Sequence, residues 1–179
     1  MPNLPMPEGL GTPDLECVMI DIAPLDVLNI LHPTAENELF FGTTPELKYA
    51  QGAVGATKPH VTLLFGIHPS ASYHRWVWAV LKDWTPEPIK ITEVGVFPVR
   101  DEDQEYRVVI GHVEKTPNLL EARARLETLD YTDGFPEYKP HVTLAYIKRD
   151  ADEHRWIQRL GEEYNGKVFP VTGVNLGDD

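Results

Sequence analysis

The chain has 179 residues, 42% of them hydrophobic and 25% charged, enough for one domain or for two small lobes sharing a core. Its formal net charge of −12 repels long polyanions, which argues against a sequence-independent grip on duplex DNA or RNA. A small anion remains admissible, because a few local donors in a pocket outweigh a distant, salt-screened surface charge. No apolar run approaches the roughly 20 residues of a membrane span, and no secretory signal precedes Pro13. The lone Cys17 cannot form an internal disulfide and reads as a buried thiol, so a cytosolic compartment fits.

In chain order, residues 1–13 hold four prolines and two glycines and read as a flexible lead-in; a single domain is expected over 14–179. The run Glu16 to Ile22 predicts a strand, and Pro24 to Leu31 one or two helical turns. Residues 32–57 read as a long loop with one short helix, a length typical of functional lids. His60 to Phe65 predicts a strand. Ser70 to Trp84 predicts a helix with Trp76, Val77, Val80 and Leu81 at helical spacing. Ile89 to Val99 and Tyr106 to Val113 predict a hairpin around the acidic tip 101–105. Thr116 as cap and Pro117 at the first position start a helix to Leu129. A strand from His141 to Ile147, a helix from Ala151 to Tyr164 and a strand from Val168 to Leu176 complete the chain.

The chain repeats itself. Lys58-Pro59-His60-Val61-Thr62-Leu63 recurs unchanged as Lys139-Pro140-His141-Val142-Thr143-Leu144. His74-Arg75-Trp76 and His154-Arg155-Trp156 follow at nearly equal distances, then Ile91-Thr92-Glu93-Val94 and Val171-Thr172-Gly173-Val174. The unit is strand–helix–strand, over 58–97 and 139–176. Two copies imply lobes related by a pseudo-two-fold axis that places His60 and His141 on either side of one cleft.

Strand alternation puts His60 and Thr62 on one face and Val61, Leu63 and Phe65 on the other; His141 and Thr143 oppose Val142, Leu144 and Tyr146 in the same way. Two imidazoles suit phosphodiester cleavage, one taking a proton from the attacking hydroxyl or water and the other giving one to the departing oxygen. Threonine hydroxyls beside them can donate to non-bridging phosphate oxygens. Pseudo-symmetry leaves the two histidines interchangeable as acid and base. No His/Cys/Asp set has metal spacing, so neither metal nor cofactor is expected.

Lys58 and Lys139, at the mouth of each motif strand, are candidates to meet a phosphate. Tyr49, in the long loop, and Tyr138, before the second motif, are candidates to stack on a base. By parity Phe65 and Tyr146 belong to the core.

Two His-x-Thr strands in a duplicated chain of this size resemble the 2H phosphoesterase superfamily, over roughly residues 16–176. The resemblance implies an α+β, bilobal LigT-like fold with two mainly antiparallel sheets lining a central cleft and helices outside. It also implies catalytic roles for His60, Thr62, His141 and Thr143. The expected activity is a metal-independent phosphodiesterase on a small nucleotide. One candidate substrate is a cyclic oligonucleotide signal, as for phage anti-CBASS members acting in the host cytosol. The other is a 2′,3′-cyclic phosphate on RNA or a nucleotide. The length of the 32–57 loop leans towards the first. A non-catalytic nucleotide sponge is a further class. RNA ligation lacks a nucleotide-binding lysine motif or glycine-rich phosphate loop here.

Overall fold

The computed structural model describes residues 15–33, 35–70, 72–132, 134 and 137–177; the expected flexible segment 1–13 lies outside them. Among these, the strands are β1 (Glu16–Ile22), β2 (His60–Ile67), β3 (Ile89–Val96), β4 (Tyr106–Val113), β5 (His141–Lys148), β6 (Val168–Phe169) and β7 (Val171–Asn175). The helices are α1 (Val27–Leu31), α2 (Ala35–Glu38), α3 (Val54–Thr57), α4 (Tyr73–Leu81), α5 (Pro117–Leu126) and α6 (Glu153–Tyr164). None of the described helices is long and apolar enough to cross a membrane.

Local chemistry accounts for most boundaries. Thr116 Oγ1 accepts from the Leu119 N–H at 3.2 Å, Pro117 opens α5, and Leu119, Ala122 and Leu126 form its buried stripe. Asp152 caps α6 in the same way through the Arg155 N–H. The run expected as one strand over 168–176 is two. Pro170 has no N–H for a ladder, and it separates β6, on β3, from β7, on β1.

The sheet order is β6-β3-β4-β5-β2-β1-β7, with every pairing antiparallel. Its two halves meet in one paired position, Val61 opposite Val142. The order about that point is palindromic: β2 corresponds to β5, β1 to β4 and β7 to β3. The copies of the sequence repeat are therefore not the halves of the sheet. β3, from the first copy, pairs with β4, and β7, from the second, pairs with β1, so each copy gives its last strand to the other half. The exchange ties both halves into one core that includes Val61, Val142, Ile91 and Trp156.

The correspondence extends to irregularities. On β2 the register passes from Met19–Thr62 to Val18–Leu64, leaving Leu63 as an extra residue. On β5 it passes from Ile110–Thr143 to Val109–Ala145, leaving Leu144. Each motif strand thus bulges directly after its motif threonine. On the outer strands Thr92 and Thr172 are the extra residues, and each hydroxyl donates at 3.2 Å to a carbonyl of the neighbouring strand, His112 O and Asp21 O.

The groups that surround the bulges differ between the halves. Tyr138 donates its hydroxyl to Thr62 O at 2.9 Å, and Arg123, stacked 4.8 Å over the Tyr138 ring, donates to Leu63 O at 3.2 Å. Beside β5 the segment 35–57 does this with its backbone: Phe40 N–H donates to Tyr146 O, and Tyr146 N–H to Gly52 O. That segment, expected as a loop with one short helix, holds α2, a 3₁₀ turn at Pro45–Leu47, α3 and a two-stranded bridge at Phe41–Gln51. It is fastened along the edge of β5 that β2 leaves open.

Gly55 marks how closely α3 seats there, since a Cβ at that position would lie 2.4 Å from Thr143 O. Gly55→Ala is expected to destabilise the protein by roughly 1–3 kcal/mol through overpacking, read as a lower urea midpoint. An unchanged midpoint would mean that α3 is not held against β5.

Candidate active site

Continuing the register from Val61–Val142 sets His60 opposite Thr143 and Thr62 opposite His141. Opposed residues on antiparallel strands share a face, so all four polar side chains lie on one face of the crossing, while Val61 and Val142 enter the core on the other.

Both imidazoles are oriented by the same local contact. His60 Nδ1 lies 3.1 Å from Lys58 O, and His141 Nδ1 lies 3.0 Å from Lys139 O. A carbonyl only accepts, so in each ring Nδ1 carries the proton, and Nε2 is the atom that can take one up. The proline between lysine and histidine keeps the lysine out of the helical region, and Lys58 sits at φ −130° and ψ 62°.

A cavity of about 540 Å³ opens beside His60 and Thr143. Tyr49, Tyr146, Lys58, Asp21, Thr172 and Asn175 also line it. Its far wall is a tyrosine cluster: Tyr49 and Tyr106 share a hydroxyl hydrogen bond of 2.6 Å, and the Tyr49 and Tyr146 rings meet edge to face. Burial pushes the Tyr146 hydroxyl up to about 12, so it stays protonated at neutral pH. Asp21, opposite His60 on β1, is held by Asn175 at 3.5 Å, and Asn175 accepts from Gly177 N–H at 2.7 Å.

His141 and Thr62 do not line this cavity. His141 is 3% exposed and packs edge to face against Phe97, ring centroids 4.7 Å apart. Thr62 lies under the Cys17 thiol, 3.9 Å away, which burial pushes up to about 12 and so keeps unreactive at neutral pH. Burial, with repulsion from His112 and His60, lowers His141 from 6.5 to about 4.

The four other candidates divide. Tyr49 and Lys58 line the cavity. Tyr138 does not: it is buried, supports the β2 bulge and offers no ring to a ligand. Lys139 points outward to Glu137 at 3.5 Å. Tyr146, assigned to the core by parity, is buried in a cluster with Phe97, Tyr106 and Ile110, and it also lines the cavity, because the Leu144 bulge reverses the alternation beyond Thr143. Asp21 and Asn175 carry no motif signal in the sequence; strand pairing alone sets Asp21 opposite His60 and Asn175 opposite Met19. Among the described residues, no group of three His, Cys, Asp or Glu is placed to hold a metal ion.

The family model described as the 2′-5′ RNA ligase superfamily matches residues 41–178, and the chain belongs to that superfamily, the one that its two His-x-Thr strands resemble. No curated protein matches it. Similar solved structures include Usb1 of Kluyveromyces marxianus, 12% identical, covering 86% of this chain and 81% of that one at a TM-score of 0.49. The same protein with uridine monophosphate, also 12% identical, covers 84% and 81% at 0.44.

The His141 shift has a consequence for stability. Its folded value lies below its unfolded one, so between pH 6.5 and 4 the unfolded chain binds more protons. The associated stability is whole above 6.5 and is lost as pH falls towards 4. Between pH 7 and 4.5 the wild type is expected to lose roughly 2 kcal/mol more than His141→Gln in urea unfolding. Equal losses would show that His141 is not held neutral.

Proposed function

We propose that this member of the 2′-5′ RNA ligase superfamily is a phosphodiesterase that opens the phosphodiester of a small ribonucleotide with His60 and His141 as its acid–base pair. What supports this reading is the crossing at Val61–Val142, about which strand alternation turns both His-x-Thr pairs to one face. With Nδ1–H held by a carbonyl, a neutral ring offers the Nε2 lone pair to a water or a 2′-hydroxyl. The deprotonated oxygen attacks phosphorus, the second, protonated imidazole delivers its proton to the departing ribose oxygen, and that P–O bond breaks. On a 2′,3′-cyclic phosphate the products are one phosphomonoester and one free hydroxyl. The threonine hydroxyls donate to the non-bridging oxygens as charge builds there.

The cavity favours the smaller of the two candidate substrates. About 540 Å³, walled by Tyr49 on the segment fastened to β5 and by Tyr146 of β5 itself, suits one nucleotide unit with its base against either ring. A 2′,3′-cyclic phosphate on a nucleotide or an RNA end is therefore the leading substrate. A cyclic oligonucleotide is the second reading. Taking in a whole cyclic oligonucleotide would require the 32–57 segment to close over it, and the backbone bonds of Phe40 and Gly52 to Tyr146 favour a fixed wall. What favours it still is the net charge of −12, which disfavours long RNA.

The test is a product assay on 2′,3′-cyclic mononucleotides beside cyclic di- and trinucleotides, with and without EDTA. Cleavage should persist in EDTA. His60→Ala and His141→Ala should each lower kcat/KM by about 10²–10⁴-fold with nucleotide affinity retained. Unchanged turnover in either variant would refute the mechanism, and binding without turnover in the wild type would make the protein a sponge.

A further inference from the structure

Beyond the motif residues, the cavity has a second polar wall, on β1 and β7. Asp21 stands opposite His60 on one side and Gly173 on the other, and Asn175 stands opposite Met19. Opposed residues share a face, so Asp21, Met19, Gly173 and Asn175 project together, and Met19, Asp21 and Asn175 line the cavity. A Cβ on Gly173 would meet nothing within 4 Å, so the space beside Asp21 is open. The duplication does not account for this wall. In the other half, His112 stands opposite His141 where Asp21 stands opposite His60, and aligning Thr92 with Thr172 puts Gly95 in the place of Asn175.

Hydrogen bonds fix the orientation of the wall. Asn175 Oδ1 accepts from Gly177 N–H at 2.7 Å, which turns Nδ2 to Asp21 Oδ1 at 3.5 Å. The Thr172 hydroxyl donates to Asp21 O at 3.2 Å and pins the backbone there. The long Nδ2–Oδ1 contact leaves the second amide hydrogen and both carboxylate oxygens with capacity for a ligand. Along the wall a ligand therefore meets one donor and then two acceptors.

We propose that Asp21 and Asn175 read the base of the substrate and select guanine, an inference that rests on the phosphodiesterase reading above. A carboxylate beside a phosphate site repels the phosphate unless the ligand brings donors to it. The ribose of a 2′,3′-cyclic phosphate does not bring a pair of them, because O2′ and O3′ are both bonded to phosphorus. A base can. The Watson–Crick edge of guanine carries one acceptor, O6, and then two donors, N1–H and N2–H. It is the complement of an amide N–H followed by a carboxylate. Adenine sets its N1 lone pair against the carboxylate, cytosine carries two adjacent acceptors, and uracil offers a single donor between two acceptors. Tyr49 or Tyr146 takes the face of the base, and the wall of β1 and β7 takes its edge.

The experiment is isothermal titration calorimetry of guanosine, inosine, adenosine, cytidine and uridine 3′-monophosphates with wild type and Asp21→Asn, beside kcat/KM on the matching 2′,3′-cyclic mononucleotides. Wild type should bind the guanosine nucleotide about 10–100-fold more tightly than the adenosine, cytidine and uridine ones, with inosine, which lacks the N2 amino group, in between. Asp21→Asn keeps the size of the side chain and exchanges an acceptor for donors, so the guanosine-to-adenosine ratio should fall to about 1. A ratio is insensitive to any general gain in phosphate affinity from the lost charge. The kcat/KM values should follow the same order. Equal binding of the guanosine and adenosine nucleotides by wild type, or no binding of the guanosine one, overturns the inference. A guanosine preference that survives Asp21→Asn overturns the assignment to Asp21. Turnover of the cyclic nucleotides without base preference removes guanine selection and leaves the phosphodiesterase standing, whereas selective binding with no turnover sinks the phosphodiesterase reading and leaves the guanine site.

Discussion

Val61 and Val142 face each other across β2 and β5, and neither is accessible to solvent. They form the one paired position joining the two halves of the sheet, so the strands are free to diverge on either side of it. Divergence is what gives the site its form. Where the strands meet, four polar side chains converge on the opposite face. Where they part, the edge of β5 is taken by the backbone of the 35–57 segment, which brings Tyr49 to the cavity. A full β2–β5 ladder would leave no space between His60 and the tyrosine wall. The strand exchange, with β3 on β4 and β7 on β1, ties the two halves together beside so narrow a junction.

Paired bulges make the second constraint. An extra residue after each motif threonine turns the following side chains to the other face, so that Tyr146 joins Thr143 on the cleft side. Bulged backbone needs partners for its polar groups. Tyr138 and Arg123 take Thr62 O and Leu63 O, whereas beside the other bulge Phe40 and Gly52 bond Tyr146 through the main chain. The two halves therefore share a geometry and reach it by unrelated contacts. That freedom lets a duplicated site become unequal: one half carries a histidine buried against Phe97 and the other a histidine on the cavity wall.

The candidate site was half legible beforehand. His60, Thr62, His141 and Thr143 were visible because an identical six-residue run, twice, is improbable without a shared geometric demand. Lys58 and Tyr49 followed from the motif mouth and the long loop. Tyr138 and Lys139 did not fall where expected, since adjacency in sequence to a motif says nothing about which side of the strand a residue serves. Asp21 and Asn175 lie on other strands and Phe97 directly after β3, and they enter the site only through the pairing of those strands.

The sequence by itself determined the antiparallel α+β character, the capped helices, the hairpin of β3 and β4, and the two polar-faced motif strands. All of these follow from local rules: periodicity, a capping hydroxyl, a proline without an N–H. Tertiary structure decided the order of the strands, their exchange between halves, the reversal of parity at Leu63 and Leu144, and the packing of Phe97 on His141. Parity holds only along an unbroken ladder, and a break is fixed by which distant groups capture the backbone left over. Tyr138, Arg123 and the 35–57 segment are such groups, and only the folded chain brings them to the strands they serve.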